Sequence, residues 1–238
     1  MNTPAQDASI RRRAPTLDVA VVGGGMVGAA AALALARAGF STALLEARAP
    51  AAWSAEAEVD LRVVGLAPSS LALLDELGVW TSIRDARSSP YTHMHVGDAQ
   101  SGAAIDFDAA SEGRDRLGYI VENNLVQWTL WRALEAAGVR RLCPAEVKGF
   151  EARDDRVQLE LADGATLAAS LLVAAGGAAS PRRQLAGIGT RGRDYAQRAV
   201  VAHVSTERPH ESTAWQRFLP GGPLALLPLA DGRSSIVW

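Results

Sequence analysis

Gly23, Gly25 and Gly28 are spaced G-x-G-x-x-G, with Gly24, Met26 and Val27 between them, and Glu46 follows eighteen residues after Gly28. Those residue types at that spacing suit a dinucleotide pyrophosphate. Gly23 allows a tight turn, Gly25 removes a side chain where the pyrophosphate must approach, and Gly28 lets a helix pack on a strand. The helix that starts at Met26 and Val27 offers backbone N–H groups and the positive end of its dipole to the phosphates. A carboxylate at position 46 can accept both ribose hydroxyls of an adenosine. An acid rather than a base there disfavours a 2′-phosphate, so the site prefers FAD or NAD over NADP.

The alternative is a merely structural glycine turn, and the flanking elements argue against it. Leu17 to Val22 (LDVAVV) is a continuous apolar run, the pattern of a parallel strand buried on both faces. An alanine-rich helix from about Met26 to Ala38 closes at Gly39, and Ser41 to Glu46 reads as a second strand. Strand, glycine turn, helix and strand make a βαβ unit.

Further along, Ser69 or Ser70 is expected to cap a short helix (LALLDEL) that stops at Gly78. Residues 91–107 read as two antiparallel strands, and Glu122 to Ala137 as a helix with Leu125, Trp128 and Leu134 on one face. AEVKGFEAR and RVQLEL, separated by Asp154-Asp155 and followed by Asp163-Gly164, form a meander. Ser170 to Ala175 is again an apolar strand, entering a second glycine turn at Gly176-Gly177. Beyond Gly189 the segments RAVVAHVS, AWQRFL, LALLPL and SSIVW read as strands. The fold class is therefore α/β: a Rossmann-like nucleotide-binding domain interleaved with a mostly antiparallel sheet. Residues 17–90 and 118–188 are assigned to the first, 91–117 and 189–238 to the second, and 1–16 to a flexible tail.

Composition narrows the classes. Of 238 residues 48% are hydrophobic and 21% charged, which excludes a disordered chain. A net charge of −2 gives no basic field for nucleic acid. A single cysteine, Cys143, excludes a disulfide framework and fits a reducing, cytoplasmic setting. The uncharged stretch Val19 to Ala36 behind Arg11, Arg12 and Arg13 is not read as a membrane span, because three consecutive glycines interrupt it. His93 and His95 share a strand face but have no nearby third ligand, so no metal site is expected. No G-x-S-x-G elbow appears, which leaves hydrolysis without support.

Four blocks occurring in order carry a resemblance. They are GGGMVGAAAALALARAGFSTALLEAR, LRVVGLAPSSLALLDELGVW, LGYIVENNLVQWTLWRAL and WQRFLPGGPLALLPLADGRSSIVW. Together they resemble the FAD-dependent aromatic hydroxylases of ubiquinone biosynthesis, the UbiH/UbiF/Coq6 family, over essentially all of residues 17–238. The resemblance implies FAD in the glycine turn, NAD(P)H as electron donor, and a polyprenylated phenol as substrate. Arg62 and Gln127 fall on the family's flavin-contacting Arg and Gln; Val147 falls where the backbone meets the adenine, and Arg48 lies within reach of the adenosine. From spacing alone, Arg62 reads sooner as a solvated loop charge and Gln127 as a polar residue on an exposed helix face; it is the family context that favours cofactor contact for both. The family's chemistry belongs to the flavin and dioxygen, so no catalytic side chain is assigned. The substrate class further implies peripheral contact with the inner membrane surface and association with other ubiquinone-biosynthesis proteins.

Two departures stand out. Where the family has Gly-Ala-Asp-Gly-Ala-Arg-Ser, this chain has Ala174-Ala175-Gly176-Gly177-Ala178-Ala179-Ser180, with Gly176 at the Asp position and Ala179 at the Arg position. That weakens the expectation of reduction by NAD(P)H. The chain also stops at Trp238 in what reads as the start of a strand, before the family's Gly-Asp-Ala-Ala-His-like block. The reading is of a truncated member, with a non-catalytic homologue and an unrelated FAD- or NAD-linked dehydrogenase as alternatives.

Overall fold

Apolar runs paired in parallel organise the first sheet of the computed structural model, which describes residues 17–178 and 180–238. The expected tail 1–16 and the position of Ala179 lie outside the described residues. The chain opens with β1 (Leu17–Val22), α1 (Met26–Arg37), β2 (Thr42–Leu45), β3 (Val63–Leu66), α2 (Pro68–Glu76) and α3 (Trp80–Arg87). Then come β4 (Ser88–Tyr91), β5 (His93–Asp98), β6 (Ala104–Asp108), β7 (Gly118–Glu122), α4 (Asn123–Ala136) and β8 (Arg140–Leu142). The meander β9 (Val147–Ala152), β10 (Val157–Leu161) and β11 (Thr166–Ala174) precedes α5 (Pro181–Leu185). The last strands are β12 (Val201–Val204), β13 (Thr213–Leu219), β14 (Gly222–Pro228) and β15 (Ser234–Val237).

The first sheet has the order β8-β2-β1-β11-β10-β9. Its first four strands are parallel, and β10 and β9 continue it antiparallel. β1 has neighbours on both sides and layers on both faces, which is why it reads as unbroken hydrophobic sequence. Val19 and Val21 face a core shared with α1 and α4, whereas Ala20 and Val22 face a second core shared with Val157, Leu159 and Ala169 of the meander.

The second sheet, β12-β15-β14-β13-β5-β6, draws on two remote parts of the chain. β13 and β5 pair in parallel and every other neighbouring pair is antiparallel. A small antiparallel sheet, β3-β7-β4, stands between the two, and Tyr91 and Ile120 from it pack on Ala214 and Leu229 of the second sheet's side.

Several local readings change. α2 begins at Pro68 with Ala67 as N-cap and no side-chain cap, so Ser69 and Ser70 lie inside the first turn rather than before it. Proline's fixed φ and missing N–H suit the first helical position, and it starts the helix that a serine was expected to cap. α3 escapes the sequence pattern because its eight residues bury only Trp80 and Ile83. The strands β3, β4 and β7 do not stand out in the sequence: each is four or five residues long, at the short end of the roughly four to eight over which alternation is counted, and β8, within the β pattern that begins at Val139, has three. β11 starts at Thr166 rather than Ser170, since its first half pairs with β10 and its second with β1. Of RAVVAHVS only Val201 to Val204 is a strand. Among the described residues no helix is long and apolar enough to cross a membrane.

Candidate functional site: a glycine turn held by Glu46 and Gln127

β1 ends at Val22 and the chain turns at Gly23, whose φ of +113° lies in the region that favours glycine. A Cβ at Gly23 would meet the Ala175 carbonyl oxygen at 2.5 Å, because β1 and β11 run parallel and deliver the two glycine turns side by side. A Cβ at Gly28 would stand 1.9 Å from the Gly23 carbonyl oxygen, so the first turn of α1 lies directly on the loop. Gly25 differs. It is the N-cap of α1, makes no side-chain cap, and a Cβ there would find nothing within 4 Å. Open space therefore stands over the N–H groups at the start of α1, where the side chain of Met26 turns inward to the core and Val27 is 76% exposed.

Glu46 follows β2 directly, and its backbone is tied to the end of β8 and the chain just after it: its N–H donates to Leu142 and its carbonyl accepts from Ala145. The carboxylate accepts the N–H of Gly24 through Oε2 and the N–H of Arg48 through Oε1, the latter at 3.0 Å. Gln127, on α4, donates its Nε2–H to the Gly24 carbonyl at 2.9 Å. Trp131, one turn further along α4, lies 3.1 Å from where a Gly24 Cβ would be, as do Cβ and Cγ of Glu46. Cys143, half-buried at the edge of the first core, has its thiol pushed up first by burial and then by the Glu46 carboxylate.

The residues singled out by sequence are thus distributed unevenly. Gly23, Gly25, Met26, Val27, Gly28, Glu46 and Gln127 meet at one turn. Arg48 reaches Glu46 through its backbone, and its side chain is exposed. Val147 is buried in the second core, opposite Leu161 where the β9–β10 register shifts, and follows the Ala145 contact with Glu46 by two residues. Arg62 is exposed; its carbonyl accepts the Asn123 N–H at 2.8 Å, and its side chain has no partner among the described residues. Gly24 and Trp131 were not singled out, although Trp131 follows Gln127 by four residues and so shares its helix face. His93 and His95 each face an aspartate across the β5–β6 pair, Asp108 at 3.3 Å and Asp106 at 2.5 Å. Among the described residues no group of three or more His, Cys, Asp or Glu could hold a metal.

A parallel α/β sheet, a glycine turn opening a helix N-terminus, and a mostly antiparallel second sheet together define a flavoprotein fold of the aromatic-monooxygenase type. Residues 16–238 match the family described as FAD binding domain, and the chain belongs to that family. It is 40% identical over 222 residues to the 3-demethoxyubiquinol 3-hydroxylase of Escherichia coli (strain K12), covering 93% of this chain and 56% of the relative. To the mitochondrial ubiquinone biosynthesis monooxygenase COQ6 of Mus musculus it is 40% identical over 238 residues, covering 93% of this chain and 49% of the relative. The chain spans about half the length of the curated relatives it matches. The fold is shared with the p-nitrophenol 4-monooxygenase PnpA of Pseudomonas putida DLL-E4, at a TM-score of 0.76 and 24% identity, over 94% of this chain and 57% of the other.

FAD is the cofactor of this family, and the turn has the features it needs. Gly25 leaves room where a Cβ would project, and the first N–H groups of α1 have no side-chain cap competing for them.

Proposed function

We propose that this chain is the flavin-binding part of a monooxygenase that hydroxylates the ring of a polyprenylated phenol or quinol in ubiquinone biosynthesis, with NAD(P)H as electron donor. The observation that carries the reading is the 40% identity to the E. coli hydroxylase, sustained over 93% of the chain. In this reading Gly23, Gly25, Met26, Val27 and Gly28 hold the pyrophosphate, Glu46 and Arg48 the adenosine, and the backbone at Val147 the adenine. Arg62 and Gln127 face the flavin side. When bound and reduced, the flavin supplies the activation of dioxygen that ring hydroxylation requires.

The protein's own work is to place and to shield. Backbone N–H groups at the start of α1 neutralise phosphate charge without bringing a mobile side chain. Water must be kept from the flavin during turnover, because it would otherwise waste the activated oxygen. The substrate's apolar tail supports an encounter at the inner membrane surface and association with other enzymes of the same biosynthesis. Titration with FAD, followed by oxygen uptake with NADH and a short-chain polyprenylphenol, tests the reading. Hydroxylated product coupled to oxygen uptake supports it, and absence of flavin uptake overturns it.

A second reading, flavin binding without turnover, is favoured by Gly176. No side chain stands there, where the related hydroxylases were expected to carry an acid. Flavin uptake with no oxygen consumption in the same assay would select it.

A further inference from the structure

Glu122 takes no part in holding the glycine turn, yet it is 3% exposed and three groups converge on its carboxylate. Its Oε1 accepts the Trp53 indole N–H at 3.2 Å and lies 3.5 Å from Nη1 of Arg87; its Oε2 accepts the Asp60 N–H at 2.7 Å. Arg87 also donates to the carbonyls of Ala55 at 2.6 Å and Ala57 at 3.0 Å, and its guanidinium sits 5.3 Å from the Trp53 ring centre. Apart from Arg87, every partner comes from residues 53–60, a stretch with neither helix nor strand. Apolar side chains would join the end of α3 to the end of β7 with no desolvation cost, so a buried ion pair is a poor choice for core strength alone. What this pair provides is direction: it dictates the course of an irregular loop.

That course leads to Arg62. Two residues beyond Asp60, the Arg62 carbonyl accepts the N–H of Asn123, the residue after Glu122. Asn123 and Gln127 are four apart on α4, so they share a face about 6 Å apart along the axis, and Gln127 holds Gly24. The ion pair, the Arg62 backbone and the glycine turn are thus strung along the first turns of one helix.

We propose that Glu122, locked by Arg87, is a positioning residue that sets Arg62 against the flavin bound at the Gly23–Gly28 turn. The proposal rests on the flavin reading above. The test compares FAD affinity, by quenching of flavin fluorescence, for the 238-residue chain, Glu122→Gln, Arg62→Ala and the double variant. It adds amide hydrogen exchange on the flavin-free proteins. Each single change is expected to weaken FAD about tenfold, and the double variant no further, because both remove the same contact. In flavin-free Glu122→Gln, exchange should rise at Asp60 and Asn123 together, with the β1 and β11 amides unchanged. Multiplied losses, about a hundredfold in the double variant, overturn the proposal, as does faster exchange at Asp60 with Asn123 unchanged. A parent chain that takes up no FAD overturns the flavin reading itself. Should Glu122→Gln fail to fold, Arg87→Gln, which cuts the same ion pair from its less buried side, carries the same comparison.

Discussion

Glu46 and Gln127 grip the same residue from opposite sides: the carboxylate accepts the Gly24 N–H while the amide donates to the Gly24 carbonyl. One comes from the end of a strand and the other from a helix about eighty residues later in the chain, so the turn is set before any ligand arrives. Through that bond Gln127 acts on the loop, and its effect on flavin passes through Gly24. Gln127→Met keeps the bulk and loses the donor. One net hydrogen bond is worth about 1 kcal/mol, or about fivefold in affinity, and FAD titration should show a loss of that size. Affinity equal to the parent would mean that the turn holds its shape without the amide.

Glu46→Arg should do more. It removes two backbone N–H partners and places a cation beside the donor groups that Glu46 now satisfies. Retention of flavin through gel filtration should fall by well over the single-bond effect, about a hundredfold in affinity. Unchanged retention would refute the assignment of Glu46 to this site.

The same carboxylate acts on Cys143. Burial first, and the Glu46 charge second, push the thiol above its ordinary range, which leaves less reactive thiolate at neutral pH. Glu46→Gln removes one of those causes. Alkylation of Cys143 by iodoacetamide at pH 7.5 should therefore be slow in the parent chain and faster in Glu46→Gln, with the two converging as pH rises. Equal rates at pH 7.5 would separate Cys143 from the site.

The parts legible in sequence were those with a long local signature. The βαβ unit announced itself because β1 is buried on both faces and because Gly23 and Gly28 stand where no Cβ fits. The meander and the strands of the second sheet were readable from alternation and turn residues. The Glu122–Arg87 pair was not, since its partners are separated by 35 positions and its loop has no periodicity. Nor was the role of Gly24, because a middle glycine in a run of three carries no spacing information of its own. Gln127 was found through family likeness rather than physics: its helical position says only that it is half-buried, and its bond to Gly24 is a tertiary fact.

Interleaving sets a limit on dissection. We assign 17–90 and 118–188 to the nucleotide domain and 91–117 with 189–238 to the second sheet. β1 and β2 lie between β11 and β8, which come from after residue 139. A fragment 1–90 would expose both edges of that pair and the α1 face that packs on α4. It should be insoluble or unfolded on expression. A soluble fragment with a cooperative thermal transition would contradict the assignment.

Gly25 and Gly28 offer the sharpest separation of binding from folding. At Gly28 a methyl would overlap the Gly23 carbonyl oxygen at 1.9 Å, and the partner is backbone that cannot step aside. Gly28→Ala must push α1 off the turn, at a cost of about 3 kcal/mol, the upper end for overpacking. Its thermal midpoint should drop whether or not FAD is present. At Gly25 the backbone is already at φ −65° and ψ 175°, allowed for any residue, and a methyl meets nothing within 4 Å. Gly25→Ala should leave the flavin-free midpoint where it was or slightly raise it, since alanine has less freedom to lose on folding. Its methyl nevertheless projects over the N–H groups at the start of α1, where a pyrophosphate would have to come close. FAD affinity should fall by about a hundredfold, a loss that only a ligand in that space can register. If Gly25→Ala bound FAD as the parent does, the pyrophosphate would have to sit elsewhere, and the reading of this turn as the dinucleotide site would fail.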